Sequence, residues 1–202
     1  LEREGKSLVL LIGEDQVLAL FAVADTLKRG SRDAIRELHT LGVESIILSG
    51  DNAPTVQAIA TQVGIDRAHG NLLPDDKLAL VRQARARGKR VAMVGDGIND
   101  TPALAAADIG FAMAAAGSDS AIETADVALI DDDLRKLPAF ISLSRRTLRV
   151  LRQNIWLALG IKAVFVALTL TGSATMWMAV FADMGVSLLV VFNGLRLLRY
   201  PL

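Results

Sequence analysis

The sequence predicts an α/β domain built on a parallel sheet, followed by a two-helix transmembrane hairpin. Three observations predict it. Short, continuous apolar runs alternate with helical patterns between residues 9 and 130, the pattern of a parallel sheet covered on both faces. Two of those runs end in glycine–aspartate turns, Ser49-Gly50-Asp51-Asn52 and Gly95-Asp96-Gly97-Ile98-Asn99-Asp100. In such sheets the site lies beyond the carboxyl ends of the strands. Finally, residues 154–202 carry only Lys162, Asp183, Arg196 and Arg199 as charged groups.

The elements follow in order. Val9–Ile12 and Val17–Val23 read as strands around the turn Gly13-Glu14-Asp15. From Ser31 the period becomes helical, with Ile35, Leu38 and Leu41 spaced by three until Gly42 stops it. Ser45–Leu48 is a short strand. Ala53–Val63 is a helix closed by Gly64, and Asp75–Arg87 a helix closed by Gly88. Val91–Val94 is a strand, and Thr101 is placed to cap a helix with Pro102 at its first position. Ile109–Ala112 and Val127–Ile130 complete the strands. Asp131-Asp132-Asp133 reads as a solvated loop capping a helix from Leu134. His39 and His69 lack partners at ligand spacing and read as surface residues.

The hairpin comprises Ile155–Thr171 and Met176–Leu195, separated by Gly172-Ser173-Ala174-Thr175. Each segment is close to the ~20 residues that cross a bilayer core. Arg145, Arg146, Arg149 and Arg152 precede it, and Arg196 and Arg199 follow. The positive-inside tendency places both outer ends in the cytoplasm. Trp156 and Trp177 read as interfacial anchors. The alternative is a pair of buried helices in a soluble bundle.

Composition excludes other classes. The 202 residues include no cysteine, which excludes disulfides, thiolate zinc sites and thiol nucleophiles within the chain. The 22 basic and 22 acidic groups sum to zero, which argues against a nucleic-acid surface. That sum hides a split. Residues 154–202 carry three basic groups and one acidic, +2, so residues 1–153 carry 19 and 21, −2.

The strand ends carry the chemistry. The Ser49 hydroxyl and nearby amides could hold a phosphate oxygen. Asp96 and Asp100 are close carboxylates that repel unless a cation lies between them, and hard oxygen ligands of this kind suit Mg²⁺. Asp100 occupies the place of the last glycine of a dinucleotide fingerprint, so that reading fails. Lys77 starts a helix after Pro74-Asp75-Asp76, where a cation does not help the dipole; it is placed to reach an anion. Taken alone, Ser49–Asn52 reads as a plain turn and Lys77 as a solvated side chain.

Gly95-Asp96-Gly97-Ile98-Asn99-Asp100-Thr101-Pro102-Ala103-Leu104 resembles the hinge-region signature of P-type ATPases. Ser49-Gly50-Asp51-Asn52 resembles their Thr-Gly-Asp-Asn element, and Pro74-Asp75-Asp76-Lys77 their Pro-x-x-Lys element. The order and spacing agree, and the resemblance spans essentially the whole chain. It implies a Rossmann-like, haloacid-dehalogenase-type phosphorylation domain in residues 21–136. The end of a nucleotide-binding domain and hinge would precede it in residues 1–20. The last two transmembrane helices, about 153–172 and 175–197, would follow in a membrane domain of residues 137–202. It implies that Ser49, Gly50 and Asp51 contact an aspartyl phosphate, that Lys77 neutralises it, that Asn99 supports it, and that Asp96 and Asp100 hold Mg²⁺. Asp25 with Lys28 resembles the Asp-x-x-Arg hinge element, with lysine for arginine.

The family's Asp-Lys-Thr-Gly-Thr string and Cys-Pro-Cys helix do not occur in this sequence. The expectation is therefore a fragment, inactive alone. ATP would be bound mainly by the rest of the same polypeptide, which would also supply the nucleotide-binding domain and the Cys-Pro-Cys helix. Lys162 lies about eleven residues before the turn centre and Asp183 about nine or ten after it. At ~1.5 Å per residue, their depths agree within about 3 Å. Lysine in one span and Asp183-Met184-Gly185 in the next resemble the zinc/cadmium/lead subgroup. On that reading Asp183 binds a divalent ion and Lys162 is its counter-ion; the alternative is a purely structural ion pair. The expected activity is ATP-driven export of Zn²⁺, Cd²⁺ or Pb²⁺ by a multi-pass protein of the plasma (inner) membrane, with residues 1–150 cytoplasmic. Other readings are a membrane-anchored haloacid-dehalogenase-like phosphatase and a transporter of copper or another metal.

Overall fold

The computed structural model describes residues 7–13, 16–23, 27–113, 119–173 and 175–199. The chain divides into two compact units, one up to Leu137 and one from Pro138. Asp25 lies outside the described residues.

The first unit opens with an antiparallel ribbon, β1 (Ser7–Ile12) and β2 (Val17–Val23), with a register shift between Leu11 and Ile12. Val9, Leu11, Leu18 and Phe21 are all about half exposed. Helix α1 (Ser31–Thr40) then leads to β3 (Ile46–Leu48). Helix α2 (Ala53–Val63) joins β3 to β4 (Arg67–His69), and these two strands pair in parallel. β4 was not foreseen from the sequence. Its three residues, Arg67-Ala68-His69, carry a polar group at each end, so no apolar run marks it.

Helix α3 (Pro74–Ala86) leads to β5 (Ala92–Gly95). After a 3₁₀ turn at Ile98–Asp100 come α4 (Thr101–Ala106), β6 (Ile109–Met113), α5 (Asp119–Thr124) and β7 (Val127–Leu129). Strands β5, β6 and β7 form one parallel sheet in that order. The parallel architecture agrees with the apolar runs, divided between a two-stranded and a three-stranded piece. Val81, Met93, Leu104 and Ala112 make one core; Ala60, Val63 and Ile65 make a second.

Two aspartates fix the stagger of the three-stranded sheet. Asp108 accepts from the Val91 amide at 2.8 Å, and Asp126 accepts from the Gly110 amide at 2.8 Å. Each stands just before a strand; Asp108 bonds the residue that leads into β5, and Asp126 bonds β6.

Two local expectations are corrected. Thr101 is the first residue of α4 rather than its cap, and its hydroxyl is buried without a hydrogen-bond partner. The Asp131–Asp133 run is only in part the solvated cap expected: Asp131 is exposed and Asp133 accepts from the Arg135 amide at 3.0 Å, whereas Asp132 departs from it. Asp132 is buried with φ +51° and pairs with Lys28 at 3.4 Å, Asp131 pairs with Lys136 at 2.8 Å, and Asp133 grips Arg135. The compensating cations sit on neighbouring residues and on Lys28, far away in sequence.

The second unit is a helical hairpin. Helix α6 runs unbroken over Lys136–Leu170, so the helix expected from Leu134 and the first apolar span are one element. Gly172, at φ +72°, turns the chain, and Thr175 caps α7 (Met176–Leu195) by accepting from the Met178 amide. A further 3₁₀ turn covers Arg196–Arg199. Both helices are long and apolar enough to cross a membrane. Trp156, Leu170, Trp177 and Phe181 are each more than 70% exposed, as side chains suited to lipid rather than water.

Candidate functional site

The first cluster is built on the carboxyl end of β3. The Ser49 amide donates to the His69 carbonyl at 2.9 Å, extending the β3–β4 ladder by one residue. The Ser49 hydroxyl donates to Asp51 Oδ2 at 2.9 Å and accepts from the Asp51 amide at 3.2 Å. Asn52 caps α2 through a 2.8 Å bond from the Thr55 amide. The Ser49–Asn52 turn is thus ordered by its own side chains and presents the N-terminus of α2, where amides favour anions.

A second turn, residues 70–73, lies against it. The Asn71 amide donates to the Asp51 carbonyl at 2.6 Å and the Leu72 amide to the Ser49 carbonyl at 3.0 Å. Gly70 is needed there, because a Cβ would stand 2.6 Å from Ala53 Cα. Asp76 Oδ2 then accepts from the Leu73 amide at 2.9 Å and starts α3. Sequence reading missed Gly70 and Asp76. The signal for Asp76 was its place three residues after Leu73, where an acid reaches back to the helix start.

That helix start presents Lys77, whose Nζ lies 2.8 Å from Asp100 Oδ1. Both side chains are largely buried, at 13% and 12% exposure. The anion that Lys77 meets within this chain is therefore Asp100. Asp100 also packs against Gly95, where a Cβ would stand 2.7 Å from Asp100 Cβ and 3.0 Å from its Oδ2. Asp96 and Asn99, on the same turn, are exposed. A continuous path joins the two clusters: Ser49 carbonyl, Leu72 amide, Leu73 and Lys77 in the first turn of α3, then Asp100.

The donor set fits magnesium. Asp100 is oriented by Lys77 and seated in the space that Gly95 leaves, and Asp96 on the same turn is open to solvent. Among the described residues no three His, Cys, Asp or Glu gather as a metal cage. Two carboxylates on one turn, one of them exposed, match a cation that keeps much of its hydration shell.

In the helical hairpin, Lys162 Nζ lies 3.7 Å from Asp183 Oδ1. The pair borders a groove lined by Ile161, Phe165, Ala182 and Val186. The two side chains are 65% and 70% exposed, so the described residues leave them open to a ligand or to further protein. The matching depths inferred by counting residues and the observed distance agree.

Residues 1–108 match the family model described as haloacid dehalogenase-like hydrolase. The chain belongs to that family. It is 50% identical over 200 residues to a probable cadmium-transporting ATPase of Listeria monocytogenes, covering 98% of this chain and 28% of the relative. It is 47% identical over 199 residues to the zinc/cadmium/lead-transporting P-type ATPase of Escherichia coli K12, covering 98% of this chain and 27% of the relative. The chain therefore spans little more than a quarter of the length of these relatives. A crystal structure of a zinc-transporting PIB-type ATPase in an E2.Pi state superposes with a TM-score of 0.88 at 46% identity, covering 98% of this chain and 32% of that one. The resemblance to heavy-metal-transporting P-type ATPases is thus full-length on this side, spanning the parallel-sheet unit and both apolar helices.

Proposed function

We propose that this chain is the phosphorylation-domain and terminal membrane-hairpin portion of an ATP-driven exporter of divalent heavy-metal cations, Zn²⁺, Cd²⁺ or Pb²⁺. The observation that carries the reading is the Lys162–Asp183 pair, 3.7 Å apart within two membrane-length helices. An ionisable group at mid-bilayer costs roughly 2.5–3.5 kcal/mol on insertion scales, so an uncompensated structural role is a poor explanation for it. Asp183 supplies a hard oxygen ligand to the transported ion. Lys162 replaces that ion's charge when the site is empty.

In the cytoplasmic unit, Ser49, Gly50 and Asp51 form the turn that receives phosphate oxygens at the start of α2. Lys77 supplies positive charge to the phosphoryl group, and Asn99 a side-chain amide. Asp96 and Asp100 would hold Mg²⁺, which would supply positive charge toward the phosphate oxygens. The Lys77–Asp100 contact keeps both groups in place before phosphate arrives, so less ordering is required at the moment of reaction. The phosphorylated aspartate, most of the ATP contacts and the thiolate metal ligands come from the remainder of the transporter. Residues up to about 150 face the cytoplasm of a multi-pass inner-membrane protein.

The test is metal-stimulated ATP hydrolysis by the intact transporter in liposomes. Asp183→Ala abolishes stimulation by zinc and cadmium while leaving phosphoenzyme formation from inorganic phosphate. Unchanged zinc stimulation would sink the assignment of Asp183.

A further inference from the structure

A second polar contact joins α6 and α7. Asn193 Nδ2 donates to Asn154 Oδ1 at 2.8 Å. Asn154 Nδ2 donates to the Val190 carbonyl at 3.4 Å, and the Arg196 guanidinium donates to Asn193 Oδ1 at 2.9 Å. Both asparagines are half-buried between otherwise apolar faces.

We propose that this Asn154–Asn193–Arg196 ladder fixes the register of the hairpin and thereby sets Lys162 opposite Asp183. The three are positioning residues for the ion pair. The use of that pair rests on the transport reading; the register does not.

The apolar contact alone specifies register poorly. In α7 only Val186 is buried, and against lipid one apolar face exchanges for another at little cost. A single polar side chain at an apolar helix interface is a known device for choosing one register among several. Here both amides of the asparagine pair are engaged, each through its N–H and its oxygen or a backbone carbonyl, so a slip leaves polar groups unpaired in a bilayer.

The spacing makes the consequence specific. Asn154 precedes Lys162 by eight residues, and Asn193 follows Asp183 by ten. At ~1.5 Å per residue the two arms are about 12 and 15 Å, so satisfying the asparagine ladder brings the lysine and aspartate level. A slip of one turn moves one helix by about 5.4 Å past the other. That is more than the 3.7 Å separation of the pair and would end the contact. Arg196, at the end of α7, closes the ladder toward the headgroups and stops Asn193 from turning outward.

The 202 residues include no cysteine, so no thiol of this stretch competes with an introduced pair, and the parent transporter oxidised alongside sets the background. Ile161 and Phe165 on α6, and Ala182 and Val186 on α7, line the same groove. The four double-cysteine combinations across it are oxidised mildly in the full chain in liposomes. With both asparagines present, Ile161/Val186 and Phe165/Ala182, the two combinations level with the Asn154–Asn193 contact, dominate together. In Asn154→Leu and in Asn193→Leu their joint share falls about threefold to tenfold, and Ile161/Ala182 or Phe165/Val186, one turn away in either direction, rises, as expected for the loss of one or two interhelical hydrogen bonds. Asn154→Ser, smaller and still polar, gives the same shift should a leucine variant fail to insert.

Unchanged dominance of the two level combinations in variants that insert overturns the proposal. A failure of the transport reading is separate: Asp183→Ala would then leave zinc stimulation intact while the cross-linking pattern of the asparagine variants still moved.

Discussion

At the scale of single residues, Lys77 stands in the first turn of α3, against the unfavourable end of the helix dipole. Its bond to Asp100 explains why it is tolerated. Breaking such a buried pair leaves one charge uncompensated and costs about 3–5 kcal/mol, whereas replacing both partners with apolar groups is often neutral. Lys77→Met should therefore lower the thermal unfolding temperature sharply. Lys77→Met with Asp100→Leu should recover most of that loss without recovering phosphoenzyme formation. Stability and chemistry would then be separated at one site. The two glycines of the turn should also differ. A Cβ on Gly95 meets Asp100 at 2.7 Å, while one on Gly97 meets nothing nearer than 3.9 Å. Gly95→Ala should cost about 1–3 kcal/mol by overpacking. Gly97→Ala should stay within about 0.5 kcal/mol, the range of substitutions away from packed features. Equal effects in thermal melts would refute this account of the turn.

At the scale of elements, the sheet is held in stagger by aspartates at strand starts. The Val91 amide bonded to Asp108, with the Arg85 guanidinium beside it, holds that carboxyl below the usual carboxylate range. A carboxyl depressed by folding stabilises above its unfolded value, about 3.9. That contribution is lost as pH falls through the folded value. Asp108→Asn should accordingly melt below the parent at pH 7, and the difference should close toward pH 3. A difference that persisted at pH 3 would point to packing rather than charge. Arg85 also donates to the Ala106 carbonyl at 2.7 Å, so one arginine ties the end of α3 to the end of α4 as well as to Asp108.

At the scale of the whole molecule, the transport reading requires the turn at Gly172–Thr175 and the N-terminal end of α6, near Lys136, to lie on opposite sides of a bilayer. Ser173→Cys should react with a membrane-impermeant maleimide added outside intact cells. Ser144→Cys should react only after the cells are opened. Protection of both, or labelling of both from outside, would refute the hairpin topology.

Much of this was legible in the sequence because it rests on local rules. Gly64 and Gly88 mark helix ends by backbone conformation, Asn52 caps α2, and continuous apolar runs mark strands with both faces covered. The sparse charge after residue 154 marks the hairpin, and counting residues from its turn was enough to bring Lys162 and Asp183 to one depth. Lys77 stood out against the helix dipole, Asp96 and Asp100 as close carboxylates on one glycine turn, and Ser49 through the resemblance of Ser49-Gly50-Asp51-Asn52 to the family's element. Other features were not legible because their causes are far apart in sequence. β4 exists because Arg67–His69 pairs with β3, not because its residues favour a strand. Asp132 is buried and meets a cation, Lys28, that stands 104 residues earlier. Gly70 is required because Ala53 comes within van der Waals distance. Thus the sequence by itself determined most of the elements, β4 excepted, the membrane-length helices and the residue types at the strand ends, since capping, periodicity and hydropathy act over a few residues. Only the tertiary structure decided that Lys77 meets Asp100 and that Asn154 meets Asn193, since those choices are made by groups that folding brings together and burial obliges to pair.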